Sequence, residues 1–288
     1  MSEKDFDLIC IGRSCVDLYS GEFGVPLERA MAFTKSVGGS PMSIAIGTSR
    51  LGLRVGAITG VGQEDNGRYL KWQLSCEGVD VSAVKTDPKR LTAMVLLSIR
   101  GDNDFPLIQY RENCADMGLT AEDIDPDYLA RAGAVLVTGT HLSREGVRSA
   151  TMKVLETAKR LGLKCILDID FRPNLWGLQG HDAGSSRWAE ASERVTAEYK
   201  KALPYFDLIV GTEEEFFIAG GKTEAMEALR EVRRLSKALL VFKLGDKGCA
   251  ALPGDIPDSF VDEVVYPGFP VKVFNSIGAG DGFMSGFL

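Results

Sequence analysis

Phe6-Asp7-Leu8-Ile9-Cys10-Ile11-Gly12 is the stretch that decides the fold class. It is a short, nearly unbroken apolar run closed by a glycine, the pattern of a strand buried on both faces. Comparable runs follow at residues 134–137, 165–167, 208–210 and 239–242. Between them, apolar residues recur at helical spacing over 145–161, 195–203 and 224–236, and again over 44–51. Buried strands alternating with amphipathic helices predict an α/β fold, a three-layer sandwich with a mainly parallel central sheet. Right-handed crossovers make that sheet continuous. Two segments break the alternation. Residues 91–99 and 105–111 read as strands joined by Gly101-Asp102-Asn103-Asp104, a turn-rich connector. With residues 19–36 they predict a small antiparallel lid that would keep water from a site beneath it. The expected organisation is one domain over 1–288, with lid segments at about 19–36 and 91–112.

Composition excludes several classes of function. Apolar residues make up 45% and charged residues 25%, enough to bury a large core. The net charge of −7 is spread along the chain, without a basic block or interleaved aromatic and basic residues. Nucleic acid and membrane surfaces are therefore not expected partners. The first residues lack an apolar signal region, and no run approaches the roughly 18 apolar residues of a membrane span. Six scattered cysteines without a Cys-x-x-Cys pair read as reduced thiols, so a cytoplasmic location is expected. His141 and His181 are the only histidines, which does not predict a protein-built zinc site.

The residues that carry chemistry lie just after the predicted strands. Near the end of the chain, Asn275-Ser276-Ile277-Gly278-Ala279-Gly280-Asp281 places small residues at a predicted helix N-terminus, where open amides suit a phosphoryl group. Asp281 is a carboxylate placed to accept a proton from an attacking hydroxyl, or else simply a helix cap. Asp17 follows Gly12 by five residues and could accept two hydrogen bonds from a polyol, or serve as a turn residue. Gly38-Gly39 before a helix allows either close approach of a ligand or a tight helix entry. Asp168, Asp170 and Arg172 share a face by strand alternation, with Arg172 free for phosphate or held in an ion pair. Thr212-Glu213-Glu214-Glu215 could organise hydrated magnesium or supply acidic charge to a helix's first turn. Lys243-Leu244-Gly245-Asp246-Lys247-Gly248 reads as a nucleotide-side turn or a plain hairpin. Arg111 and Asn113 could recognise a carboxylate or carbonyl, or form a solvated strand end. His141 reads as hydrogen-bonded rather than catalytic. Neither a P-loop nor a Gly-x-Gly-x-x-Gly fingerprint is present.

Gly12 with Asp17, Gly38-Gly39, Asp168 to Arg172, Thr212 to Glu215, Lys243 to Gly248 and Gly278 to Asp281 occur in an order that resembles the ribokinase-like, PfkB-type carbohydrate kinases. The resemblance covers essentially the whole chain, and Gly-Ala-Gly-Asp is its most specific part. It implies ATP-dependent phosphorylation of a sugar or sugar acid. Asp281 would be the base, Gly278 would open the catalytic turn, and the amides of Ala279, Gly280 and Asp281 would form the anion hole. Asp17, Gly39, Ser43, Arg111 and Arg172 would bind the acceptor. Lys243, Gly245, Gly248 and Glu215 would lie on the nucleotide side, with Glu215 supporting Mg²⁺ through water. A monovalent cation is left open, and a homodimer through the lid is implied. Stretches 11–19, 90–93, 105–116, 167–176 and 211–216 narrow the resemblance to kinases of a keto-deoxy sugar acid, phosphorylated at its 6-hydroxyl. Ser43 stands where the family usually has Asn, which keeps another sugar, 2-dehydro-3-deoxygluconate or fructose as alternatives, beside a non-catalytic sugar-binding protein. Only seven residues follow Asp281. Phe283, Met284, Phe287 and Leu288 would form an apolar stripe with nothing to cover it, so C-terminal helices are expected to be missing after 288.

Overall fold

The computed structural model describes residues 4–101, 104–178, 192–260 and 265–288. His181, Asp102 and Asn103 therefore lie outside the described residues. In chain order the strands and helices are β1 (Phe6–Ile11), β2 (Cys15–Ser20), β3 (Phe33–Gly38), α1 (Ser40–Arg50), β4 (Val55–Gly62), α2 (Asp65–Cys76), β5 (Val79–Asp80), β6 (Val84–Asp87), β7 (Ala93–Leu97) and β8 (Leu107–Tyr110). They continue with α3 (Pro126–Ala130), β9 (Ala132–Thr138), α4 (Glu145–Leu161), β10 (Lys164–Asp168), α5 (Glu193–Ala202), β11 (Leu208–Thr212) and α6 (Glu213–Gly220). The last are α7 (Ala225–Leu235), β12 (Leu239–Lys243), β13 (Cys249–Leu252), β14 (Val265–Tyr266) and α8 (Ala279–Phe287).

The main sheet runs β14-β13-β12-β11-β10-β9-β1-β4-β5, with β6 also paired to β4. From β12 through β5 every pairing is parallel, and β13 and β14 add antiparallel at one edge. β1 shows why the sheet needs cover on both sides. Ile9 and Ile11 join one apolar cluster with residues of α3 through α7, while Leu8 and Cys10 join a second with α1, α2 and α8. The two faces of one strand thus feed separate helix layers, as the alternation of side chains requires. α4 is typical of the helices: Val147, Ala150, Thr151, Val154, Leu155 and Ala158 make its buried stripe, and Gly162 ends it in the left-handed conformation. No helix among the described residues is long and apolar enough to cross a membrane.

The small sheet runs β3-β2-β7-β8 and carries its own cluster around Cys15, Ala93, Val95, Leu97 and Cys114. The expectation of an antiparallel sheet needs correction at its centre. β2 pairs antiparallel with β3, and β7 with β8, but β2 and β7 are parallel. The reason is the connection: between β2 and β7 the chain passes through β3, α1, β4, α2, β5 and β6, so the two are joined by a long crossover, which a parallel pair requires, rather than by a hairpin.

α8 also departs from expectation. Its stripe is partly covered: Met284 is fully buried, and Phe283 and Leu288 pack against the second cluster, while Phe287 is 38% exposed. α8 lies on α1 where Gly47 faces Ser285, so close that a Cβ on Gly47 would fall 2.1 Å from Ser285 Oγ. A helix of nine residues gains its stability from this contact rather than from its own length.

Candidate active site

The C-terminal ends of β1, β10, β11 and β12 open toward the N-terminal turns of α1 and α8, the place where parallel α/β sheets bind ligands. The turn after β1 starts the site. Gly12 must lack a side chain, because a Cβ would lie 2.5 Å from Pro41 Cγ in the first turn of α1. Gly39 caps α1 with φ +96°, and a Cβ there would lie 2.4 Å from the Arg13 carbonyl oxygen. On Gly38 the same atom would lie 2.1 Å from Asp17 Oδ1. Both interpretations of the diglycine hold: it is a tight helix entry, and it gives the Asp17 carboxylate its place. Cys15 Sγ, two residues along the same face of β2, donates to Asp17 Oδ1 at 3.3 Å. Burial raises the Asp17 pKa, opposed by the Cys15 thiol and by Arg13 and Arg111, and reinforced by the charge of Asp281.

Asp281 arrives from the opposite end of the chain. Gly278, with φ +73°, caps α8 and turns the chain so that Asp281 falls in the helix's first turn. The carboxyl is half-buried, and Ser40 and Asp17 border the same diglycine corner of α1. Burial and the neighbouring Asp170 raise the Asp281 pKa, while the Ser40 hydroxyl, Arg13 and Arg172 pull it back. Of the three amides expected to form an anion hole, the Ala279 N–H donates to the Ser276 carbonyl at 3.3 Å. The Gly280 and Asp281 N–H groups have no carbonyl partner among the described residues. Lys243 completes this anion-attracting corner: a Cβ on Gly280 would lie 3.5 Å from its Nζ.

Lys243 ends β12 and sits between two acids. Its Nζ is 3.4 Å from Asp168 Oδ1 and 3.6 Å from Glu215 Oε2. Burial works against the Lys243 charge, but Asp168 and Glu215 outweigh it and raise its pKa. Burial also lifts Asp168 well above the ordinary carboxylate range, with Lys243 opposing and Glu215, Asp170 and Asp281 adding to the lift. Glu215 closes a capping box: Oε2 accepts from Thr212 N–H at 2.8 Å, and Thr212 Oγ1 accepts from Glu215 N–H at 3.4 Å. Its Oε1 accepts from Phe171 N–H at 3.2 Å. Each carboxylate oxygen therefore keeps a lone pair, which suits hydrogen bonds to metal-bound water better than direct ligation.

The alternation expected from Asp168 to Arg172 breaks at Asp170, whose φ of +36° turns the chain out of the strand. Asp170 is nevertheless central. It accepts from Arg13 Nε at 3.3 Å and from Arg13 Nη2 at 3.1 Å, and it pairs with Arg172 at 2.9 Å. Arg172 also donates to the Phe171 carbonyl at 3.0 Å, so the ion-pair interpretation describes it as it stands. Arg111 is not a solvated strand end. It is 7% exposed, ion-paired with Asp116, and lies 3.5 Å from the Ser14 carbonyl. It also borders a cavity of about 390 Å³ shared with Asn113, Arg144 and Asn174. Asn113 accepts from Arg90 Nε at 3.0 Å. Ser43 is half-buried in the first turn of α1.

The segment from Lys243 to Gly248 is a hairpin between β12 and β13, and it depends on Gly248, where a Cβ would meet the Tyr266 carbonyl oxygen at 1.9 Å. Gly245 lies exposed at its tip. His141 is buried with neither ring nitrogen hydrogen-bonded among the described residues, and burial lowers its pKa to about 4. The expectation of a hydrogen-bonded His141 is therefore not met. Arg13 lies in the 11–19 stretch that carries the family resemblance, but the sequence assigned it no role of its own.

A model of the pfkB family carbohydrate kinases matches residues 5–288. A 5-dehydro-2-deoxygluconokinase from Geobacillus kaustophilus is 33% identical over 99% of this chain and 82% of its own. A PfkB protein from Polaromonas superimposes with a TM-score of 0.78 at 29% identity, over 98% of this chain and 86% of the other. A sugar kinase from Pyrococcus horikoshii in complex with ATP gives a TM-score of 0.78 at 27% identity, over 96% of this chain and 82% of the other. An acid at the N-terminus of α8, open amides beside it and a second acid on β2 are thus carried by a chain that belongs to the pfkB family of carbohydrate kinases.

Proposed function

We propose that this chain phosphorylates 5-dehydro-2-deoxygluconate at its 6-hydroxyl, using ATP. The observation that carries the proposal is the meeting of Asp281 and Asp17 at the Gly38–Ser40 corner, with the Gly280 and Asp281 amides and Lys243 alongside. Asp17 accepts hydrogen bonds from acceptor hydroxyls and orients them. The 6-hydroxyl oxygen attacks the γ-phosphorus, its proton passes to an Asp281 carboxylate oxygen, and the bond from the γ-phosphorus to the β–γ bridging oxygen breaks to release ADP. The amides of Gly280 and Asp281 and the Lys243 ammonium stabilise negative charge on the transferring group. Mg²⁺, when bound, would neutralise phosphate charge, and Glu215 would hold its water. The Lys243–Gly248 hairpin would border the nucleotide, and the small sheet would close over the acceptor.

The named Geobacillus relative supports this acceptor. Ser43, half-buried in the first turn of α1 beside Gly39, favours a second reading in which a related sugar acid is preferred, because a hydroxyl lacks the reach of an amide. An ADP-coupled assay against a panel of sugar acids and fructose decides between them. Turnover highest on 5-dehydro-2-deoxygluconate is expected; binding of a sugar acid by calorimetry with no ATP-dependent transfer to any acceptor refutes the kinase. Two copies would pair through β3, an edge strand with Phe33, Thr34 and Lys35 exposed, which light scattering tests. Free thiols at all six cysteines fit a cytoplasmic setting.

A further inference from the structure

Asp17 is an acceptor and therefore recognises hydroxyls. Its neighbour Arg13 is the opposite, a group that only donates. The Arg13 side chain is 9% exposed, and Nε and Nη2 are both committed to Asp170. Nη1 donates to no described residue, although the guanidinium is built into the site on every side. The Arg13 backbone supports Gly39, Asp170 is held from its other flank by Arg172, and the cation acts on the charges of Asp17 and Asp281. Nη1 is not among the fully buried polar atoms that lack a partner, so it keeps contact with solvent, and its pre-oriented pair of N–H donors is free to exchange water for a ligand acceptor.

The ligand atom that best fits such donors is one that only accepts. A hydroxyl can serve either Asp17 or Arg13, but a carbonyl oxygen can serve Arg13 alone. We propose that Arg13 is a specificity-determining residue: through Nη1 it holds the carbonyl oxygen on the carbon next to the reacting hydroxyl, and so selects an α-hydroxyketone over the corresponding polyol. This rests on the kinase reading above and names the substrate feature that the site recognises. The bond has a chemical consequence as well. A cation hydrogen-bonded to the carbonyl draws electron density from the adjacent CH₂OH group, which makes its proton easier for Asp281 to take.

The test compares 5-dehydro-2-deoxygluconate with 2-deoxygluconate, its counterpart reduced at C5, in the wild-type protein, Arg13→Gln and Arg13→Lys. Loss of one charged hydrogen bond predicts that Arg13→Gln lowers kcat/KM on the ketone by about tenfold to a hundredfold. The loss on the polyol should be several-fold smaller, so that the preference collapses, and Arg13→Lys should restore part of it. Equal losses on both acceptors overturn the proposal. So does a loss seen with the keto acid but not with its C1 amide, because Arg13 would then hold the carboxylate. Thermal unfolding separates a folding defect, and if Arg13→Gln does not fold, the preference ratio of Arg13→Lys decides in the same way. If the wild-type protein phosphorylates neither acceptor, it is the kinase reading that fails. Calorimetric binding of the two acceptors to wild-type and variant protein then still decides the role of Arg13: a ketone preference that the variant lacks supports it, and equal preference overturns it.

Discussion

Asp281 is asked to do two things that oppose each other, and both can be measured. A base must be ionised, yet burial and Asp170 raise its pKa above the ordinary value of 3.8. Activity should therefore fall as pH drops through that raised value, and the acid limb of kcat/KM should lie above pH 3.8. An acid limb at or below the ordinary carboxylate value would show that a different group is titrating. The linkage to stability has the reverse sense. A carboxyl whose folded pKa is raised binds protons more readily in the folded state, so its charge destabilises at neutral pH and the penalty lifts as pH falls through the folded pKa. Asp281→Asn should then lower kcat by about 10²–10⁴ while the thermal midpoint stays equal or rises. Near-normal turnover would remove Asp281 as the base, and a large drop in midpoint would make its role structural. Gly38→Ala is expected to act on the acceptor alone, because its Cβ would displace the Asp17 carboxylate. KM for the sugar acid should rise at least tenfold, KM for ATP should hold, and parallel changes in both would contradict the placement of Asp17. These acids were legible in the sequence because each follows a glycine turn or an apolar run. Arg13 was not, because its burial depends on Asp170, 157 residues away, and local sequence does not show that ion pair.

Among the elements, the strands rich in Val, Ile and Leu were easy to read, and 145–161 coincides with α4 to the residue. β4 is the instructive omission. Val55-Gly56-Ala57-Ile58-Thr59-Gly60-Val61-Gly62 is buried along its whole length, yet its glycines hide the apolar run from a periodicity argument. The structure gives their reason: a Cβ on Gly56 would lie 2.4 Å from the Tyr128 hydroxyl, and one on Gly60 would lie 2.4 Å from the Ala115 carbonyl oxygen. They are sites of close approach, and their partners lie far along the chain. The same logic governs the seat of α8. Gly47→Ala would drive a methyl into Ser285, whose Oγ donates to the Asp281 carbonyl at 2.8 Å, and so push the catalytic turn away from α1. We expect a loss of about 1–3 kcal/mol in denaturant unfolding together with reduced turnover. Removing the opposing side chain in Gly47→Ala/Ser285→Gly should restore turnover, since the two sites couple through one contact. Additive losses in the double variant would show that the two residues do not support Asp281 together.

At the scale of the whole molecule, the two sheets differ in how firmly they are held. The main sheet feeds two large clusters, one on each face, and its central strands β1, β9 and β10 are covered by helices from both sides. The small sheet rests on a handful of residues, with β3 and β8 as free edges, and joins the main sheet through the short turn from β1 to β2 and through α1. Asp17 lies on the small sheet while Asp281 lies on α8, so the site spans the boundary between a rigid part and a looser one. Such an arrangement predicts opening of the small sheet by itself, at a free energy below that of global unfolding. In native-state hydrogen exchange, amides of β2, β3, β7 and β8 should exchange well before those of β1, β9 and β10. Addition of 5-dehydro-2-deoxygluconate should slow the small sheet selectively, because hydrogen bonds to Asp17 tie β2 to an acceptor also held at α8. Uniform exchange across both sheets would show a single cooperative unit without a lid, and uniform protection by the acceptor would place its binding energy elsewhere. Loss of the selective slowing in Asp17→Asn, with the free protein's exchange pattern unchanged, would tie the protection to that one carboxylate.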